Sequence, residues 1–408
     1  MTTGVHVQPP SGRPAMLVLL LVVFVNLVGF GILMPILPFY AQAFHAPAWQ
    51  VTWMFAAFSI GNFFAEPIWG RLSDRIGRRP ILLGTIFCSG LGFIGLAFAP
   101  NLWIALAVRL LTGLTTGNLS TIQSYIADIT PPRFRAGRIG LLGAAFALGF
   151  VAGPGLGGLL ARPQYGLAGF RAPLLVAGVL SILAAAGVAL FVRESRQRTA
   201  TSAAEGLRLS LLGEARRHPV LGRALIVTLL YTSAFAAAES TFGLWAQDRF
   251  GWGPRQLSYA FAAVAVTAAL AQGFLTGRLT RRYGEAVMLA AGLAIISATL
   301  ALQPLGAGMN RSIALLALTV FGQALALPNI SALISRTTSP DRQGAMLGLN
   351  MSVGAASRAI GPVVGGALFS LAGPDAPLYA AAVAVAPAIL LSWQAEEAAR
   401  RLRRRETA

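Results

Sequence analysis

Long apolar runs separated by short polar breaks organise this chain from end to end. They fall near residues 16–40, 50–70, 80–99, 101–126, 138–161, 172–192, 220–246, 256–277, 286–306, 312–335, 344–371 and 376–394. Each approaches the ~20 residues that carry a helix across a bilayer. Lipid offers the backbone no partner, so an amide in such a run must bond within its own segment, which selects helix. A transmembrane barrel shows short segments of alternating polarity instead. The pattern predicts an all-α membrane protein of twelve transmembrane helices. The first run, about Met16 to Tyr40, is too long for a signal-peptide core and lacks a small-residue cleavage pattern, so it reads as a permanent span.

Composition agrees with that reading. Apolar residues make up 56% of the 408 and charged residues 11%, with mean hydropathy +0.68; a soluble domain averages roughly 25% charged residues. The net charge of +18 raises the possibility of a nucleic-acid partner, and the placement of the charges argues against one. All 32 basic residues are arginines, and they cluster between the apolar runs. With the N-terminus cytoplasmic, 25 lie on the cytoplasmic side, five outside and two within spans. The clusters include Arg71, Arg75, Arg78 and Arg79, then Arg133, Arg135 and Arg138, then Arg278, Arg281 and Arg282, and the tail from Arg400 to Arg405. This is the positive-inside rule, with attraction to anionic lipid as a secondary effect. It orients the chain with both termini cytoplasmic, and the expected location is the cytoplasmic (inner) membrane. Three histidines (His6, His45, His218) and one cysteine (Cys88) leave no disulfide and no metal framework. No cofactor is expected, and the absence of a nucleophile–base or metal cluster in the spans argues against a membrane-embedded enzyme.

The chain divides into a tail (1–15), a six-helix bundle (16–192), a polar linker (193–219), a second six-helix bundle (220–394) and a basic tail (395–408). Within the linker, Leu207 to Arg217 has the makings of a short amphipathic helix on the membrane. The bundles repeat. Gly70-Arg71-Leu72 with Gly77 recurs as Gly277-Arg278-Leu279 with Gly284. Asn118-Leu119-Ser120 recurs as Asn329-Ile330-Ser331, and Gly153-Pro154 with Gly157-Gly158 recurs as Gly361-Pro362 with Gly365-Gly366. The offsets are 207, 211 and 208 residues. Parallel six-span repeats are the plan in which two bundles rock about a site near the midplane.

Three motifs carry a family resemblance. The segment from Gly70 to Pro80, with Gly70, Asp74, Arg75, Gly77, Arg78 and Arg79, resembles the signature loop of the major facilitator superfamily. Its glycines permit a tight turn, and Asp74 can accept from helix-terminal amides or from an arginine of the other half, holding the cytoplasmic side shut. The resemblance adds Asp128, at the end of span four, to this gate, with Arg78 as its partner. Gly149, Gly153, Pro154, Gly157 and Gly158 in span five resemble the motif of the drug:proton antiporter branch; glycines at four-residue spacing let helix backbones touch. Gly29 to Pro38 in span one, and Asp248-Arg249-Phe250-Gly251-Trp252, resemble the tetracycline-efflux group. The chain departs from that group where it carries acids or a histidine: Asn26, Gly92 and Ala268 stand there, while Gln272 matches a polar partner.

Of the 14 acids only Glu66 and Glu239 lie inside apolar runs. A charge there costs roughly 2.5–3.5 kcal/mol on insertion scales and is functional by default. Glu239, in Ala-Ala-Ala-Glu-Ser-Thr-Phe, resembles the glutamate of multidrug efflux proteins in span seven; the alternative is a local hydrogen-bonding role. Glu66 precedes Pro67 near the cytoplasmic loop, where it either carries protons or pairs with a gate arginine. Arg109 with Gly113 in span four resembles the pattern that the family associates with proton transfer, and Arg358 lies in span eleven. The expected proton-coupling set is therefore Glu239, Arg109 and Glu66. Asn26, Phe235, Phe242, Gln272, Asn329 and Arg358 are the expected cavity residues, with Phe58, Phe63, Phe64 and Trp245 as further candidate wall aromatics. The reading is a monomeric proton-coupled exporter of amphipathic drugs, working by alternating access. The rival is a facilitator-fold carrier of a sugar or another small metabolite, whose cavity would be richer in polar side chains.

Overall fold

A computed structural model describes residues 12–116, 119–130, 132–195, 213, 218–306, 308–339 and 342–406. The described chain is helical throughout, in the order the apolar runs predict. We label the helices α1 (Gly12–Gln42), α2 (Ala48–Ile76), α3 (Arg78–Ala97), α4 (Leu102–Thr115 and Leu119–Ile129), α5 (Pro132–Leu160) and α6 (Arg171–Phe191) in the first half. The second half holds α7 (Pro219–Phe250), α8 (Pro254–Tyr283), α9 (Glu285–Leu302), α10 (Met309–Arg336), α11 (Gln343–Ala372) and α12 (Ala376–Glu406).

Ten helices among the described residues are long and apolar enough to cross a membrane. The two other expected spans, α2 and α4, depart for local reasons. α2 has the length but carries Ser59, Asn62, Arg71, Asp74 and Arg75, and its polar middle turns toward the second half. α4 is described in two pieces, Leu102–Thr115 and Leu119–Ile129, the first of them apolar but short. At the end of the first piece the Thr115 and Thr116 hydroxyls both donate to the Thr112 carbonyl. The Trp69 indole of α2 donates to Leu114 O at 2.6 Å. At the far end, α12 runs on as a helix to Glu406 through the segment expected as a basic tail. The proposed amphipathic helix of the linker lies outside the described residues, apart from Gly213.

Packing repeats with the sequence. α1 lies against α5 and α6 as α7 lies against α11 and α12; α3 meets α6 as α9 meets α12; α2 meets α4 as α8 meets α10. The halves join along two equivalent seams, α2 against α11 and α5 against α8. Glycines set these approaches. A Cβ on Gly149, Gly153 or Gly157 would lie 2.5–2.6 Å from Phe24 O, Gly31 Cα or Ile32 O of α1. One on Gly361 would lie 2.5 Å from Ser233 O of α7. Gly158 and Gly366 do the same work across the seams, against Ser258 and Pro254 of α8 and against Trp49 and Thr52 of α2.

These seam contacts lie at the end away from the arginine clusters. At the arginine end the glycines of α5 (Gly140, Gly143) and α11 (Gly344, Gly348) have open space within 4 Å. The halves therefore close on one another at one end and stand apart at the other.

Candidate functional site: a charged cavity between the halves

Near the middle of the molecule, α1, α2, α4, α7 and α11 enclose a cavity of about 120 Å³. Its wall is apolar on the side of Phe30, Met34, Phe55, Phe58 and Pro362. Ser59, Asn62 and Ser240 add hydroxyl and amide groups. Three charged side chains complete it: Arg109 from α4, Glu239 from α7 and Arg358 from α11. The space holds a few waters or one small charged group, so a whole amphipathic molecule needs the halves to open further. Drug-sized ligands occupy roughly 300–1,000 Å³.

Arg109 is 3% exposed. Its Nε donates to Met54 O of α2 at 3.0 Å, and its guanidinium lies over the Phe58 ring, 4.5 Å from the centroid. A carbonyl and an aromatic face offset part of the cost of burying the charge; no carboxylate comes within 4 Å of it among the described residues. Gly113, one helical turn on, lets α4 approach Phe58 closely enough for this geometry. Glu239 is half-buried and Arg358 is exposed toward the cavity. Among the described residues they share the space without an ion pair inside 4 Å.

The other expected cavity residues lie elsewhere. Phe242, 2% exposed, is packed among Trp245, Trp252 and Phe261. Trp245 belongs to the same aromatic cluster and donates from its indole to Asp375 at 2.7 Å. Phe235 is half-buried against the core. Asn329 is buried between α10 and α8, donating to Leu325 O at 2.6 Å and to the Thr280 hydroxyl at 3.2 Å. Gln272 stands exposed in a π-helical turn, Ala271–Leu275, where the Thr276 hydroxyl reaches the Ala271 and Ala324 carbonyls. Asn26 is half-buried, one turn before Phe30, and does not line the cavity. Phe63 and Phe64 stack edge to face, with Phe64 exposed. The Glu66 side chain lies outside the described residues; its backbone is in α2, one turn beyond Asn62.

The signature segment is less a loop than a helix junction. Gly70 to Ile76 form the last turns of α2 and Arg78 opens α3, so Gly77 alone makes the corner. Its φ of 114° is a conformation that favours glycine, and Gly284 repeats it at φ 86°. Arg78 pairs with Asp74, donates from Nη1 to the Ser73 hydroxyl at 2.7 Å and reaches Asp128 at 3.5 Å from Nε. Arg79 donates to Ala189 O at 2.6 Å. In this conformation, with the arginine ends of the halves apart, Asp74 is paired within its own half.

One member of this network was missed in the sequence. Glu194, just past α6, accepts from the Arg78 and Arg79 backbone amides at 2.8 and 3.1 Å, where the amide dipoles of a helix start favour a carboxylate. In sequence it stood at the edge of the polar linker with nothing to mark it.

The second half builds the same corner with its charges exchanged. Glu285 and Arg336 pair at 2.7 Å, 207 and 208 residues after Arg78 and Asp128.

Comparison with known proteins accords with the fold and the motifs. The family model for the Major Facilitator Superfamily matches residues 19–309 and 240–408. The chain is 29% identical over 361 residues to the tetracycline resistance protein, class C, of Escherichia coli, covering 87% of this chain and 90% of that protein. It is 28% identical to multidrug resistance protein 1 of Bacillus subtilis, covering 93% and 96%. The crystal structure of the human organic anion transporter MFSD10 (TETRAN) superposes with a TM-score of 0.71 at 25% identity, over 94% of this chain and all of that one. With two six-helix halves, glycine-lined seams and this match over nearly its whole length, the chain is a multi-pass membrane transporter of the major facilitator superfamily.

Proposed function

We propose that the protein exports amphipathic drugs across the cytoplasmic membrane in exchange for protons, by alternating access, with both termini on the cytoplasmic side and one chain as the working unit. The observation that carries the reading is Glu239 placed with Arg109 and Arg358 in a cavity between halves that meet at one end only. A carboxyl there can be loaded and emptied from either side as the halves rock. Coupling needs protonation to favour one orientation and drug the other. An inward proton step supplies about 2.3 kcal/mol per 100 mV of membrane potential, plus its pH term. The apolar wall of Phe30, Met34, Phe55 and Phe58 favours an amphipathic cargo over a sugar, which needs a denser set of hydrogen-bonding groups. The names of the tetracycline and multidrug resistance relatives point the same way. On this reading Gly70, Asp74, Arg75, Gly77, Arg78, Arg79 and Asp128 govern closure of the arginine end.

The test is a panel of fluorescent amphipathic compounds in inverted membrane vesicles with an imposed pH gradient. Accumulation that a protonophore abolishes is the expected outcome. Sugar movement with no drug movement would overturn the reading.

A further inference from the structure

A second, larger cavity lies on the seam between the halves, at the end away from the arginine clusters. It measures about 520 Å³ and is walled by residues 161–164, which follow α5, and by residues 254–256 in the first turn of α8. Two of the five arginines expected on this side of the membrane meet here, Arg162 from one half and Arg255 from the other. Neither has an ion pair within 4 Å among the described residues, and no acid lines the space. Of the acids at this end, Asp375 accepts from the Trp245 indole, and Asp248 is not in the wall. Both arginines stand on fixed backbone. The Arg162 amide donates to Gly169 O at 3.0 Å, and its carbonyl accepts from the Tyr165 amide at 3.0 Å. Gln256 closes the start of α8 by accepting from the Gly253 amide at 3.1 Å through Oε1, which leaves its NH2 group as a donor. Gln164 adds a second amide to the wall. Like charges on two walls that close on one another oppose the closure.

We propose that this recess is a binding site for a phosphate-type anion, which bridges Arg162 and Arg255 and latches the two halves together at this end. The donors select the ligand. A guanidinium fork takes two oxygens in parallel hydrogen bonds, so one arginine uses up a carboxylate, whereas a phosphate group carries oxygens for both. A halide has no geometry to match the forks and is small for the space. The two walls belong to different halves, so the site exists while the halves meet here and is dismantled when they part. A ligand that binds one conformation and not the other shifts the balance toward the first. The anion therefore turns a repulsion between the halves into a bridge and holds this end shut. The inference rests on the rocking of the halves proposed above and on no particular cargo. A lipid phosphodiester and free phosphate share this chemistry, and the experiment separates them.

The experiment uses full-length protein with spin labels on cysteines placed at Tyr165 and Tyr259, exposed residues on either side of the seam, in a Cys88→Ser background. The distance between the labels is read by double electron–electron resonance. One arm uses nanodiscs of phosphatidylcholine, with inorganic phosphate exchanged for chloride at constant ionic strength. The other uses nanodiscs containing phosphatidylglycerol and no added phosphate. The ratio of short to long distances is expected to rise by roughly five-fold or more, the lower end of coupling between sites. A rise with phosphate in neutral discs supports a soluble anion, and a rise with phosphatidylglycerol alone supports a lipid headgroup. Arg162→Gln and Arg255→Gln, both at exposed positions, should each lose most of the response. Arg255→Glu should give the short distance with no anion present, because the two walls then pair directly, and should not respond to phosphate. No rise in either arm, or a rise that persists in both glutamine variants, overturns the proposal. Chloride acting as well as phosphate overturns it too. Two distances that no anion shifts leave the rocking reading standing, whereas one distance under every condition removes that reading and this inference together.

Discussion

Gly366→Ala places one methyl group on the seam between the halves, and the structure sets its consequence. The new Cβ would lie 3.0 Å from Trp49 Cα and 3.0 Å from Thr52 Cβ, with the Thr52 hydroxyl closer still. Carbon atoms pack at about 3.5–4.0 Å, so α11 and α2 must part by roughly half an ångström or more. Thr52 cannot swing aside cheaply, because it is fully buried and its hydroxyl donates to Trp49 O at 3.0 Å. Overpacking of this kind costs about 1–3 kcal/mol. The cost falls only on the conformation closed at this end, so it shifts the balance toward the opposite conformation by roughly 5- to 150-fold, at 1.4 kcal/mol per decade. The assay is labelling of a cysteine placed at Ala355 in the cavity wall, in a Cys88→Ser background, by an impermeant maleimide added on the side away from the arginine clusters. Gly153→Ala is the control. Its Cβ would lie 2.6 Å from Gly31 Cα, within one half, so it should lower the unfolding temperature without opening the seam. Faster labelling in Gly366→Ala but not in Gly153→Ala is expected. An unchanged labelling rate in folded Gly366→Ala would refute the rigid-half reasoning.

Other consequences can be checked by thermal unfolding of the purified protein. Glu194→Ala removes the acceptor of two amides in the first turn of α3 and should cost about 0.5–2 kcal/mol, the range for a lost helix cap; Glu194→Gln should cost less. Asp128→Arg sets two arginines against each other at the corner. Adding Arg78→Glu should recover only part of the loss, since the new acid meets Asp74. The triple change with Asp74→Arg copies the second half, where Arg281, Glu285 and Arg336 stand, and should recover more, on the scale of 1 kcal/mol or below for so exposed a group. A triple variant no better than Asp128→Arg alone would count against the equivalence of the two corners.

The fold was largely legible because in lipid one rule, that every backbone amide must be paired, turns apolar length directly into helices. The repeat was legible because close helix approach demands glycine, and glycine leaves a plain mark in sequence. Gly153 and Gly361, or Gly77 and Gly284, could be matched by eye for that reason. The site was less so. Arg109, Glu239 and Arg358 announced themselves as charges in apolar runs, and the Arg78–Asp128 pairing followed from the motif. Which face an aromatic or amide presents was beyond the pattern: small differences in helix rotation decide whether Phe58 faces the cavity while Phe242 enters an aromatic core. Asn329 shows the same limit, since a polar residue in a span can bond its own helix and one neighbour instead of lining the cavity. Glu194 was hidden because its role depends on α6 ending beside the start of α3, a contact between segments more than a hundred residues apart.

The central claim is that Glu239 carries the exchanged proton. Its most direct test is the proton release that follows addition of a transported drug to purified protein in lightly buffered detergent, read with a pH-sensitive dye. The account predicts release from the unaltered protein and none from Glu239→Gln, with drug binding retained in both. Equal release from Glu239→Gln would contradict it.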